Sequence, residues 1–335
     1  MTSCMPWRSE VTRVLLPMAM AGALSCGVGQ VIADAGQVAG EKGQVVLAID
    51  TDMVAGEDIT SVQVEVFAGD AEVDGGTNKY DVSDAGLRLP ATFAVVEGSQ
   101  NSVEATIRLT GFKADKAVIF REAKMVVPSS SRRLLRMPLE WVNLGPKCPE
   151  GQTRLAGTCR SSPSISDTSE PKEFNVQEVF GGGDEHGNGG TCFPSAACFE
   201  KALTGMPTSY AAGRCTISDP GGSSLNIGLR IPPGNGGTCA SNNCFIPLNK
   251  VDSLSDGVFG WRYADDKKIE IPAELCLSKK DAYVSIVASR DDYPSKTEKF
   301  PVCSSAGAVK NPMLGKDAGT VIAVDGGGDA AWRDR

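Results

Sequence analysis

The chain has 335 residues and a formal net charge of -8, enough for two modest domains plus connecting segments. With 41 Asp and Glu against 33 Lys and Arg and no basic patch to offset them, it lacks the clustered positive charge that binds phosphate backbones, which excludes nucleic acid as a partner. The 38 Gly and 19 Pro point to many turns and few long helices.

At the N-terminus, Arg8 and Arg13 give a basic start and Val14 to Leu24 a short apolar run interrupted by Pro17. Ala23-Leu24-Ser25-Cys26 closes it. The run is too short to span a bilayer, which takes roughly 20 residues. Small residues leading to a cysteine resemble the end of a bacterial lipoprotein signal peptide. That resemblance covers this segment alone and implies removal of residues 1–25 and lipidation of Cys26. Gly27 in place of Asp implies sorting to the outer membrane or cell surface of a Gram-negative cell envelope. An ordinary cleaved signal peptide is the alternative. The small, polar residues 26–43 suit a flexible tether to the membrane.

Residues 44–143 show repeated period-2 patterning. Val62, Val64 and Val66 alternate with Gln63 and Glu65, and Val103, Ala105, Ile107 and Leu109 alternate with Glu104, Thr106 and Arg108. Further strand candidates are Val45 to Ile49, Ala91 to Val96, Ala117 to Phe120 and Lys124 to Val127, with turn clusters between them. About seven short strands in about 100 residues predict an immunoglobulin- or fibronectin-like β-sandwich.

Residues 144–173 read as a small disulfide loop, Cys148 to Cys159, followed by a Ser/Pro/acidic linker with nothing to bury. Residues 174–303 form a second, cysteine-rich β domain, and the rest of the chain after the signal resembles cysteine-rich exported proteins. Its signature is a repeat, Gly187-Asn-Gly-Gly-Thr-Cys192 and Gly234-Asn-Gly-Gly-Thr-Cys239, each followed by a second cysteine and a phenylalanine, Cys198-Phe199 and Cys244-Phe245. Residues 304–335 read as a flexible tail whose one strand-like stretch is Thr320 to Val324.

Of 11 cysteines, Cys4 lies in the signal and Cys26 is the lipid site, leaving nine, all after residue 147. Such clustering in an exported chain predicts disulfides, and zinc is disfavoured because no Cys-x-x-Cys pair and no second histidine are present. Local spacing pairs Cys148 with Cys159, Cys192 with Cys198, Cys239 with Cys244 and Cys276 with Cys303. Cys215 is left over, or displaces a partner in the Cys192 and Cys198 pair.

No catalytic constellation is recognisable. His186, the only histidine, stands beside Asp184 and Glu185 in a Gly-rich loop that reads as solvated. Asp50-Thr51-Asp52 with Glu57 and Asp58 at a strand end offers hard oxygen ligands that Ca2+ could take, although solvated turn acids are the plainer reading and no cofactor is expected. Trp261 and Tyr263, two apart on one strand face and close to Asp265 and Asp266, are the residue types that stack on sugar rings and hold their hydroxyls. Core burial competes with that reading. Lys296 to Lys299 reads as a solvated turn. The expected function is a cell-envelope lipoprotein with a non-catalytic binding or surface-architecture role, its partners the membrane and a glycan or surface protein. The alternatives are a secreted carbohydrate-active hydrolase using paired carboxylates and a glycan-binding module.

Overall fold

A computed structural model describes residues 43–69, 71–83, 86–97, 104–165, 172–183, 190–254, 259–264, 267–277, 285–290, 293–303 and 321–324. The chain is mainly β, built as two sandwiches. Cys26, the tether to residue 42, His186, Asp265 and Asp266 lie outside the described residues.

The first sandwich uses β1 (Gln44–Ile49), β2 (Ser61–Ala68), β3 (Ala71–Asp81), β4 (Ala91–Glu97), β5 (Glu104–Lys113), β6 (Lys116–Val126) and β7 (Arg132–Arg136). In one sheet β1 lies between antiparallel β4 and parallel β7; in the other β2 pairs antiparallel with β3 and β5, and β5 with β6. Alternation fixes which residues turn inward. Val62, Val64 and Val66 of β2 register with Gly111, Leu109 and Ile107 of β5. They share one core with Val45, Leu47 and Ile49 of β1. β1 is buried along its whole length because its other face is covered too: Ala48 packs with Leu134, Val179 and Phe180. The last two flank the end of α1 (Val176–Val179), whose cap is the Asn175 side chain accepting from Gln177 N.

The connector is less solvated than its composition suggests. β8 (Gln152–Leu155) and β9 (Thr158–Ser161) form a hairpin closed by the Cys148–Cys159 disulfide. It docks on β6, where buried Thr153 Oγ1 accepts from Glu122 N at 2.9 Å. β10 (Ser164–Ile165), within the expected linker, pairs parallel with β6.

The second sandwich stacks two five-stranded sheets. One holds β11 (Leu203–Thr204), β14 (Leu225–Ile231), β15 (Thr238–Ala240), β16 (Asn243–Pro247) and β20 (Ser285–Arg290). The other holds β12 (Thr208–Ala211), β13 (Arg214–Ser218), β17 (Asn249–Lys250), β18 (Gly260–Ala264) and β19 (Lys268–Ile271). Ile227, Leu229, Ile246, Ile217, Trp261 and Ile269 fill the space between them. The outer face of the first of these sheets is covered by α2 (Ser195–Phe199), whose Phe199 lies over Gly228; a Cβ there would sit 2.8 Å from the ring. A short helix, α3 (Ala273–Leu277), follows β19.

Four disulfides staple the described chain, and three of them lie in the second sandwich. Cys148–Cys159 and Cys239–Cys244 are bonded as local spacing pairs them, the latter across register partners of β15 and β16. The remaining pairing is corrected: Cys192 bonds Cys303, Cys215 bonds Cys276, and Cys198 stays a buried thiol on α2. The two copies of the Gly-Asn-Gly-Gly-Thr-Cys repeat diverge because residues 195–199 are helical and turn Cys198 inward against Phe193 and Phe199. Cys192 instead sits on an extended segment hydrogen-bonded to the 301–303 strip, through Phe193 N to Pro301 O and Cys303 N to Phe193 O.

The strand-like stretch expected in the tail is a strand. Val321–Val324 forms β21, a parallel edge strand on β4 of the first sandwich; the other residues of 304–335 lie outside the described residues.

Candidate functional site

The Trp261 and Tyr263 reading is corrected by burial. Trp261 is 0% exposed and belongs to the core between the sheets, whereas Tyr263 is 42% exposed. Their rings touch edge to face at 5.4 Å, and Lys250 Nζ stands 5.7 and 5.2 Å from the two ring centroids. Trp261 therefore offers no face on which a sugar could stack, and its indole N–H is buried without a hydrogen-bond acceptor.

A cleft and a cluster of buried charges lie instead where the two sandwiches meet. The loop after β1 carries Asp50, Thr51, Asp52, Met53 and Asp58 to this seam. Asp58 is buried and acts as a staple: Oδ2 accepts from Val54 N at 3.2 Å and from Gly237 N at 3.0 Å, and Oδ1 accepts from Lys113 Nζ at 3.1 Å. Gly237 belongs to the second copy of the glycine-rich repeat, so that repeat serves as a docking turn. Close by, Trp141 Nε1 donates to Asn235 O at 2.7 Å. Gly236 lies in left-handed backbone at φ +96, with Trp141 only 3.2 Å from where a Cβ would stand.

Beside this staple opens a cleft of about 570 Å3. Met53, Val118, Leu144 and Pro146 give it an apolar floor, and Lys113 and Lys116 supply positive charge. Its size is that of a small-molecule or short-peptide site.

At a second point on the seam, charges are gathered in a crevice of about 20 Å3 lined by Asp50, Asp52, Glu140, Asn249 and Lys296, with Phe259 and Val302 as apolar walls. The volume suits one water and is far too small for a sugar ring. Asp52 Oδ1 accepts from Trp141 N at 2.7 Å. Glu140 Oε2 accepts from Asn143 Nδ2 at 2.9 Å and lies 3.6 Å from the Arg121 guanidinium, whose NH1 also donates to Pro138 O. Burial pushes the carboxyls of Asp50 and Asp52 above the ordinary range, that of Asp52 well above it, and raises Glu140 to about 7 despite the opposing pull of Arg121. Burial likewise lowers the Lys296 ammonium to about 8. Lys296 is thus not the solvated turn residue its neighbours suggest: it is 4% exposed.

Asp50 and Asp52 are accordingly not solvated turn acids either. Among the described residues no group of three His, Cys, Asp or Glu side chains is arranged to hold a metal ion. Sequence reasoning flagged Asp50, Asp52 and Asp58 but missed Glu140, Asn249 and Lys296. No local pattern marks them, because they converge from segments far apart in the chain. No protein-family model matches this chain, and no curated protein is significantly similar to it.

Proposed function

We propose that this protein is a lipid-anchored cell-envelope component of a Gram-negative bacterium with a non-catalytic role in binding or surface architecture, and that the seam cleft seats its ligand. The anchor rests on the sequence around Cys26. Four disulfides fit an oxidising, exported environment. No helix among the described residues is long and apolar enough to cross a membrane.

The observation that carries the binding reading is the cleft itself, with an apolar floor and two lysines at about 570 Å3. That combination suits a ligand with an apolar body and an anionic group. Asp58 is already engaged by Lys113 and two backbone N–H groups, so Lys116 is the cation left to meet such a ligand in the cleft. Anilinonaphthalene sulfonate, an aromatic body with one sulfonate, is a direct probe. Saturable one-to-one binding to the native protein, weakened several-fold in Lys116→Glu, is expected; binding unchanged in that variant, or none, would overturn the cleft as the seat. The anchor is tested separately. Cys26→Ser should move the protein from the detergent phase to soluble fractions, and unchanged partitioning would remove the lipid from the reading.

A further inference from the structure

Lys296 is held with unusual completeness for a residue in a short surface-type sequence. Its backbone N donates to Asn226 Oδ1 at 2.7 Å, and its carbonyl accepts from Lys250 N at 2.6 Å. Asn226 in turn donates to Tyr293 O and Pro294 O, and Ser295 Oγ donates to Leu225 O. The stem is therefore fixed, and its ammonium is delivered into the crevice against the side chain of Asn249. Nζ donates to Asn249 Oδ1 at 2.7 Å and to Thr297 O at 2.8 Å. An ammonium has three donors, so two carbonyl acceptors leave it incompletely served, and no ion pair among the described residues neutralises it.

We infer that Lys296 and Asn249 are joined by an intramolecular amide bond. A hydrogen bond of this length to Oδ1 keeps Nζ within about 3–4 Å of Asn249 Cγ, the range of a near-attack arrangement. The surroundings supply what the reaction needs. Desolvation favours the neutral amine, which is the nucleophilic form, at a pH where an exposed lysine is fully charged. A carboxylate is needed to take the proton, and Asp50, Asp52 and Glu140 line the same crevice. Asp50 exerts the strongest pull of the three on Lys296.

In the balanced step, the Lys296 ammonium gives one proton to Asp50. The free amine attacks Cγ, a Nζ–Cγ bond forms, and a proton is relayed from Nζ through the carboxyl to Nδ2. The Cγ–Nδ2 bond then breaks and nitrogen leaves as ammonia, taking up the remaining proton as ammonium. No oxidant, reductant or metal is required. The product ties β17 to the strip that carries Lys296, 47 residues further along, and unlike the disulfides it resists reduction. This linkage does not depend on what occupies the cleft.

Peptide mapping of the full-length protein, reduced and alkylated, decides the matter. Trypsin should yield Ile231–Lys250 linked to Asp291–Lys299, uncut after Lys296, at the summed mass less about 17 Da for the lost ammonia. The two peptides recovered separately, with cleavage after Lys296, would overturn the bond, and Asp291–Lys299 linked instead to another peptide at a loss of about 18 Da would show water leaving from an Asp or Glu partner and overturn Asn249 as the acyl donor. On a denaturing gel after reduction, the wild-type chain should migrate faster than Asn249→Ala. Asp50→Asn should leave the peptides unlinked; complete linkage in that variant would overturn its role as proton carrier.

Discussion

Removing the Cys192–Cys303 disulfide should cost the protein about 4 kcal/mol, and removing Cys239–Cys244 about half of that. The two bonds close sequence separations of 111 and 5 residues. The larger loop contains the Cys215–Cys276 bond, which short-circuits 61 of its residues and leaves about 50 effective links. Chain entropy for a loop of about 50 gives about 4 kcal/mol at room temperature, and for the small hairpin about 2 kcal/mol. Cys192→Ser with Cys303→Ser is a clean perturbation because both residues are half-buried and the backbone bonds of Phe193 to Pro301 and Cys303 persist. The native state then changes little, and the loss lies in the freed denatured chain. Urea unfolding of the two double variants, oxidised, should show midpoints falling in that order. Equal losses, or a greater loss for the Cys239 and Cys244 pair, would refute the loop-entropy reasoning and place the stabilisation in native contacts.

Two further outcomes follow from the seam and the core. Glu140 titrates near 7 in the fold against 4.5 when unfolded, so the native state holds its proton longer and stability falls as pH rises between those values. Glu140→Gln should remove up to about 3 kcal/mol of that decline, read as the difference between wild-type and variant unfolding free energies at pH 4.5 and 7.5; parallel pH curves would contradict it. Trp261→Ala should destabilise by about 3–5 kcal/mol as a core deletion, measured by thermal or urea unfolding. A loss below about 1 kcal/mol would contradict its placement between the sheets.

The sandwich pattern was legible where a strand of the first half buries one face and alternates openly, as β2 does through Val62, Val64 and Val66, whereas β1, covered on both faces, reads only as an apolar run. The pairing of Cys239 with Cys244 was equally local: two register partners joined by a tight turn. Cys192 and Cys276 were misread because their partners are chosen by tertiary contacts that spacing does not encode, a strip at 301–303 for one and a strand at 214–218 for the other. Trp261 and Tyr263 share a strand face, but one is covered by the opposite sheet and the other reaches the rim, so periodicity alone could not separate them. Lys296 was hidden by its own neighbours. Thr297, Glu298 and Lys299 read as a solvated turn, and Glu298 and Lys299 do face outward to pair with Lys172 and Glu178.

The charged crevice works against stability at neutral pH. Above about pH 7 the Glu140 carboxylate is ionised against its burial, and below about 8 the Lys296 ammonium is charged against its own. The lysine contribution has the opposite sign from that of the acid: its folded pKa lies below 10.5, so stability is lost as pH falls from 10.5 towards 8. Between 7 and 8 both penalties are present together, and apolar residues of similar size would hold the seam at least as well. A cluster that weakens the fold in this window has to be explained by something other than packing. Conversion of Lys296 to an amide removes its charge from the crevice permanently, relieves one of the two penalties and leaves a covalent tie in its place. The same desolvation that makes the separate side chains costly is what makes the amine reactive, so the strain of the unlinked state and the drive towards the linked one have a single origin.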